Sequence, residues 1–136
     1  MESNVKKVLA FGVFDTFHEG HRAFLTQAKE LGNTLTVVVA RDDMVKLLKN
    51  KTPVQTLQQR KEAVKKEKIA DEVISSEDSP GEWKIIGEIR PDVIALGYDQ
   101  DELLKSIKAI ASEFPFTFEI IKLNPYRSGT FHSSLL

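Results

Sequence analysis

Cysteine is absent from this chain, and tryptophan occurs only once. The lack of cysteine excludes disulfides, thiolate catalysis and cysteine-ligated zinc, and it is compatible with a reducing cytoplasm. No apolar run approaches the roughly 20 residues that span a bilayer. The segment Met1–Lys7 also lacks the apolar core of a signal peptide. We therefore expect a cytoplasmic protein that has no membrane partner.

An excess of positive charge is missing too, because the 136 residues carry 19 basic and 20 acidic side chains. Nucleic-acid-binding proteins usually show a basic excess or a basic face. The densest basic run, Arg60–Lys68, is broken by Glu62 and Glu67 and is typical of a solvated helix face. We expect no nucleic-acid partner. The length suits one domain, residues 1–136, with a single core.

Short apolar segments alternate with stretches of helical periodicity along the chain. Strands are predicted at Val5–Phe11, Thr34–Ala40, Glu72–Ser75, Asp92–Leu96 and Phe116–Leu123. Helices are predicted at His21–Leu31, Asp42–Lys49, Thr56–Lys68, Glu82–Ile89 and Asp101–Ser112. This alternation predicts an α/β, doubly wound (Rossmann-like) fold, in which a parallel sheet of about five strands has helices on both faces. Ligands bind such sheets at the carboxyl ends of the strands, where the strand order reverses.

Two histidines, His18 and His21, stand three residues apart where the first predicted strand gives way to a helix. A helix start offers unpaired backbone N–H groups and a positive dipole end, so anionic oxygens bind there, and Gly20 permits their close approach. Transfer of a nucleotidyl group needs stabilised negative charge on the α-phosphate and on the departing pyrophosphate. Two imidazoles add directional donors for that charge. A plain helix start, or one arm of a metal site, remains open for the pair alone.

The ten residues Gly12–His21, GVFDTFHEGH, resemble the G-x-F-D-x-x-H-x-G-H signature of the cytidylyltransferase-like nucleotidyltransferases, with every defining position occupied. The resemblance extends across nearly the whole chain. It implies transfer of a nucleoside monophosphate from a nucleoside triphosphate to a small phosphorylated acceptor, with release of pyrophosphate. It also implies a role for each position of the signature: His18 and His21 donate to the triphosphate and transition state, Gly12, Val13, Phe14 and Gly20 face the nucleotide, and Asp15 contacts the acceptor or holds the loop.

Further residues take their expected roles from the same resemblance. Lys51 and Arg60, nine residues apart, resemble the basic pair that approaches the phosphates in the glycerol-3-phosphate cytidylyltransferase branch, and both cations suit phosphate. Arg41 follows the second predicted strand and is expected on the acceptor side. The nucleotide is expected to meet Gly97, Asp99 and Gln100 near its ribose and base, and Arg127, His132, Ser133 and Ser134 at its phosphates.

Two branches of the family compete. The stretch Leu96–Gln100 and the triplet His132–Ser134 look like the L-G-x-[ND]-Q and H-S-S elements of the archaeal-type FAD synthases, which adenylate FMN. Arg127 instead suits the cytidylyltransferase branch, and His132 replaces a serine of the family's late element. The resemblance favours ATP with Mg2+ as cofactor, no metal ligand from protein side chains, and a possible homodimer. Pantetheine phosphate and sugar phosphates remain open as acceptors.

Two other function classes remain open. A non-catalytic nucleotide-binding module would keep the fold without turnover, and the irregular tail motivates that reading. A zinc hydrolase could draw on His18, His21 and His132, the only histidines. The spacing in HEGH, however, differs from the four-residue histidine spacing of the H-E-x-x-H zinc motif. Turnover assays beside nucleotide titrations separate the first class, and metal analysis separates the second.

Overall fold

A computed structural model describes residues 5–49, 51–75 and 83–125, with the backbone alone at residues 47–49. Its five strands form one sheet, in which every neighbouring pair is parallel and the order is β3-β2-β1-β4-β5. The strands are β1 Lys7–Gly12, β2 Thr34–Val39, β3 Glu72–Ser75, β4 Val93–Leu96 and β5 Glu119–Lys122. The predicted fold class is confirmed.

Five α-helices connect these strands in the described ranges. They are α1 Glu19–Lys29, α2 Asp42–Lys49, α3 Leu57–Lys66, α4 Lys84–Ile89 and α5 Asp101–Ile110, and a 3-10 helix Ala111–Glu113 follows α5. Helix α1 begins two residues before its predicted start, because His18 acts as its N-cap. The predicted start of α4 at Glu82 lies outside the described residues. None of the helices in the described part of the chain is long and apolar enough to cross a membrane.

The sheet buries both of its faces, as the run Val37–Val39 predicts. Successive strand residues point to opposite faces, so Val37 and Val39 join one cluster while Val38 joins the other. Helices α1 and α3 cover the first face with Leu25 and Val64. Helices α2, α4 and α5 cover the second, through Met44, Val45, Ile86, Leu103 and Ile107. The core therefore has two layers.

Side chains close the amino edge of the sheet. The backbone N–H of Lys6 donates to Asn33 Oδ1 at 2.7 Å, and that of Lys7 donates to Asp92 Oδ2 at 2.8 Å. Asp71 Oδ2 accepts from the Leu35 N–H at 2.8 Å and from Lys29 Nζ at 2.6 Å. Backbone N–H groups at the beginnings of strands are thereby paired with side-chain oxygens from the turns that precede or adjoin these strands.

The strand order reverses between β1 and β4. From β1 the chain steps outward to β2 and β3, and it then returns to β4 on the other side and continues to β5. Ala10 pairs with Ala95, so the loops after β1 and β4 leave the sheet side by side. A crevice opens at such a switch point, and the loop residues after Gly12 and Leu96 line it.

Candidate active site

The loop between β1 and α1 has an unusual backbone. Phe14 and Thr16 have φ angles of 55° and 48°, a left-handed conformation that non-glycine residues rarely adopt. The Phe14 ring is 2% exposed and packs against Phe17, Phe24 and His21, which holds the turn in place. A Cβ at Gly12 would lie 2.6 Å from that ring, so the glycine makes room for Phe14. Strain of this kind persists where the surroundings over-determine it.

The spacing of the two histidines forms a capping box. His18 Nδ1 accepts from the Gly20 N–H at 3.0 Å, and His21 Nδ1 accepts from the His18 N–H at 3.1 Å. Serine or threonine followed by glutamate usually supplies this pair of bonds. Here the imidazoles supply both, and their rings stack with centroids 3.9 Å apart. Each side chain is thereby oriented by the start of its own helix.

This arrangement decides which ring nitrogen can donate. Because Nδ1 of both histidines accepts a backbone N–H, the neutral imidazole carries its proton on Nε2. The Nε2 atoms of His18 and His21 are therefore the donors that the capping box presents. They stand at the positive end of α1, where anionic oxygens are favoured.

A cavity at the switch point, which we name the histidine pocket, has about 1360 Å³ of empty space including its open mouth. It brings together most of the residues predicted to contact nucleotide: Gly12, Val13, Phe14, His18, Gly20, His21, Gly97, Asp99 and Gln100. Its wall also includes Glu19, Phe24, Tyr98, Asn124 and Pro125. Asn124 and Pro125 follow β5, and a position after a strand is the sequence signal that indicates a site residue. Phe24 has no such signal, because its pattern is that of a core residue.

Gln100 ties the loop after β4 to the end of β1. Its Oε1 accepts from the Gly97 N–H at 2.6 Å, and its Nε2 donates to the Phe11 carbonyl at 3.1 Å. The amide is thus engaged with backbone on both sides of the switch point. Asp99 beside it is exposed on the pocket wall. The Gln100 amide is already engaged, whereas the Asp99 carboxylate is exposed and can accept a bond from a ribose hydroxyl.

Asp15 holds a neighbouring loop. Its carboxylate accepts from the Val54 N–H at 2.7 Å and from the Gln55 N–H at 2.9 Å. Burial acts to raise the pKa of Asp15, but these two N–H donors and the charges of Arg60 and Lys51 outweigh it, so the pKa is lowered. The structure therefore shows the loop-holding role, and the acceptor contact stays a prediction.

Arg60 is buried and makes several hydrogen bonds within the protein. Its side chain is 0% exposed. The guanidinium donates to the carbonyls of Gln55, Val13 and Ala40 at 3.2, 3.1 and 2.8 Å, and to Asp42 Oδ1 at 2.7 Å. A direct contact with phosphate would require these bonds to break. Three carbonyls from separate loops converge on the guanidinium, so Arg60 joins these loops in the structure, and its expected role toward phosphate stays a prediction.

Two other predicted site residues, Lys51 and Arg41, do not line the histidine pocket. Lys51 is exposed, and its charge acts on Asp15 across the loop. Arg41 is half-buried, with Nε 3.7 Å from Asp43 Oδ1. The tail residues Arg127, His132, Ser133 and Ser134 lie outside the described part of the chain. Their expected contacts with phosphate or acceptor stay predictions.

Within the ranges that the structure describes, no group of three or more His, Asp or Glu side chains could hold a metal ion. Nδ1 of His18 and Nδ1 of His21 each accept a hydrogen bond from a backbone N–H group, which argues against these two histidines as zinc ligands. Mg2+ usually keeps waters and binds substrate phosphates together with one or two carboxylates. The carboxylates of Glu19 and Asp99 on the pocket wall fit that requirement.

Comparisons with known proteins give a consistent result. A family model described as cytidylyltransferase-like matches residues 9–135. A FAD synthase of Thermococcus sibiricus is 38% identical over 120 residues, which cover 88% of this chain and 80% of the relative. A FAD synthase of Ferroglobus placidus is 47% identical over 96 residues, which cover 71% of this chain and 61% of the relative. The crystal structure of a lipopolysaccharide core biosynthesis protein from Thermoplasma volcanium superimposes with a TM-score of 0.77 at 33% identity, covering 91% of this chain and 100% of that one.

Proposed function

Because the chain belongs to the cytidylyltransferase-like family, we propose that it is an FMN adenylyltransferase, which transfers AMP from ATP to FMN and releases pyrophosphate. Relatives that are named FAD synthases and cover most of the chain support this choice of substrates. The observation that carries the proposal is the capping box of His18 and His21, which orients two imidazoles that both line a pocket at the switch point.

The reaction is an in-line displacement. A phosphate oxygen of FMN attacks the α-phosphorus of ATP, a new P–O bond forms, and the bond from the α-phosphorus to the bridging oxygen breaks. Pyrophosphate leaves with that electron pair, and no covalent enzyme intermediate is needed. Hydrogen bonds from His18 and His21 and the amino end of α1 stabilise the charge that accumulates on the phosphates.

The remaining predicted contacts complete the binding of ATP. Asp99 binds a ribose hydroxyl, and Gly12, Val13 and Gly20 let the phosphates approach the backbone. Bound Mg2+ would supply charge neutralisation of the triphosphate, and Glu19 on the pocket wall would be its protein neighbour. The tail residues Arg127, His132, Ser133 and Ser134 bind phosphate, Lys51 is the cation that approaches the phosphates, and Arg41 serves the acceptor side. Action in the cytoplasm and a homodimer belong to the same proposal.

Pyrophosphate release tests the proposal. The purified protein is incubated with Mg2+ and either ATP or CTP, each paired with FMN, glycerol 3-phosphate or phosphopantetheine. We expect release only with ATP and FMN. Release with CTP and glycerol 3-phosphate would replace the proposal by the cytidylyltransferase branch. Nucleotide binding without release in any pair would contradict the enzyme assignment and favour a non-catalytic module.

A further inference from the structure

A second cavity lies on the other side of the Gly12–Val13 segment, with about 610 Å³ of empty space including its mouth. We name it the aromatic slot, after its apolar lining of Phe11, Val38, Ala40, Met44, Trp83 and Leu103. Phe11, Gly12, Val13, Asp99 and Gln100 line both cavities. The slot and the histidine pocket are therefore neighbours that share one wall.

Residues of the hydrophobic core form the walls of the slot. All six apolar lining residues belong to the core cluster of the second sheet face, and each is less than 9% exposed. Trp83 meets Phe11 edge to face, with ring centroids 5.5 Å apart and an interplanar angle of 80°. Side chains held this firmly form a pre-shaped surface for a flat apolar ring.

The charges around the slot indicate which part of a ligand belongs inside. Its charged lining residues are Asp99 and Glu102, which are both acidic and exposed. The histidine pocket offsets its carboxylates, Glu19 and Asp99, with two imidazoles and the start of α1, whereas no described lining residue of the slot is basic or a histidine, so an acceptor phosphate would not sit at this rim. The shared wall leads instead to the histidine pocket, where the helix start and the imidazoles favour anions.

We propose that the aromatic slot binds the isoalloxazine ring of the acceptor, so that the ribityl phosphate reaches past Gly12 and Val13 into the histidine pocket. This inference rests on the proposed function. A two-substrate displacement needs adjoining sites, and the shared wall provides them. The thioether of Met44 and the indole of Trp83 are suited to contact with a planar heteroaromatic system. Glycerol 3-phosphate has no apolar group to cover these walls, so the slot discriminates against it.

Met44 offers a direct reporter in the unaltered protein. The chain has two methionines, Met1 and Met44. Protein labelled with 13C at the methionine methyl groups would be titrated with riboflavin, FMN, glycerol 3-phosphate and ATP, and Met44→Leu would assign the signal. We expect riboflavin and FMN to shift the Met44 methyl through the ring current, whereas glycerol 3-phosphate leaves it in place. Flavin fluorescence anisotropy would establish in parallel that flavin is bound.

Variants test the slot kinetically. Ala40→Leu fills it, and Trp83→Leu removes its largest ring. We expect either change to raise the KM for FMN by about 10-fold, because Trp83→Leu loses one ring contact and Ala40→Leu obstructs the flavin ring, while the KM for ATP stays unchanged. The matched control is Phe116→Leu. Phe116 packs with Phe114 and Phe118 and lines neither cavity, so this variant loses an aromatic ring and keeps the wild-type KM for FMN.

The outcomes separate the two proposals. Bound flavin with an unmoved Met44 methyl, or wild-type KM values for FMN in both slot variants, would overturn the slot. No turnover with ATP and FMN, together with a flavin-shifted Met44, would overturn the proposed function and leave the slot supported. If flavin does not bind at all, both are overturned.

Discussion

The histidine pocket and the aromatic slot lie at the same edge of one sheet, yet they are built from different materials. The pocket takes its shape from caps and loop bonds: two imidazoles bind backbone N–H groups, and Gln100 spans from the Gly97 N–H to the Phe11 carbonyl. The slot takes its shape from side chains of the core. Changes in the pocket should therefore alter turnover more than stability, whereas changes in the slot should alter acceptor affinity and packing together.

The largest effect is expected at the histidines. His18→Ala or His21→Ala should lower kcat by about 100-fold or more, because each imidazole donates to charge that develops in the transition state. The KM for FMN should change little, since the slot is untouched. Steady-state pyrophosphate release measures both constants.

A capped variant separates orientation of the helix from chemistry. His18→Ala also removes the N-cap of α1, which costs about 1 kcal/mol of stability. His18→Asn restores a cap acceptor and should recover the melting temperature without recovering turnover. Near-wild-type rates in both alanine variants would contradict the catalytic role of the pair.

Arg60 should show the largest effect on stability, because it supports the wall that the two cavities share. Arg60→Met leaves the carbonyls of Val13, Ala40 and Gln55 without their donor, and leaving buried acceptors unpaired costs about 1–3 kcal/mol. Urea unfolding measures the loss. Lys65→Met, an exposed change on the same helix, is the control. Equal stability of the two variants would show that the guanidinium is not a support.

Asp15→Asn should have a smaller effect, confined to the pocket side. The carboxylate holds the N–H groups of Val54 and Gln55, so the amide should loosen the loop that bears Lys51 and lower kcat by about 10-fold. Asp15→Glu, which keeps the charge, should recover part of the loss. An unchanged kcat in Asp15→Asn would show that this loop does not contribute to turnover.

The lowered pKa of Asp15 also gives a pH dependence. A carboxyl group with a folded-state pKa below its unfolded value stabilises the fold fully above the unfolded value, near 3.8. That contribution is lost as the pH falls through the folded pKa. Melting temperatures measured downward from neutral pH should therefore fall less steeply in Asp15→Asn than in the wild type.

The smallest effect is expected at an ion pair whose two residues line neither cavity. Arg22 binds Glu67 through Nε and Nη2 at 2.6 and 3.0 Å, and this contact with Arg22 lowers the pKa of Glu67. Glu67→Gln should lower the melting temperature slightly, because partly exposed ion pairs contribute little. Neither kcat nor the KM for FMN should change. A kinetic effect of Glu67→Gln would mean that the contact between Arg22 and Glu67 helps to position α1.

The sequence was sufficient for the elements and for the centre of the pocket. The alternation of strands and helices predicts the sheet, and α2 and β3 have their predicted bounds, because hydrophobic periodicity is a local signal. The signature places His18 and His21 on one helix start. Their capping roles were not predicted, because N-caps are usually Ser, Thr, Asp or Asn. This is also why α1 begins before its predicted start.

Long-range convergence explains what the sequence did not reveal. The three carbonyls that bind Arg60 come from Val13, Ala40 and Gln55, on separate loops, and no local pattern relates them. The slot residues have the same apolar character as the rest of the core. Trp83 and Met44 become a binding surface only because the packing of α2, α4 and α5 leaves an opening there.

The central claim is that the two cavities divide the two substrates between them, and a crystal structure with FMN and α,β-methylene ATP tests it most directly. We predict the phosphates of the nucleotide against His18 and His21, with the isoalloxazine ring between Trp83 and Met44. A flavin ring in the histidine pocket, or phosphates in the aromatic slot, would contradict the account.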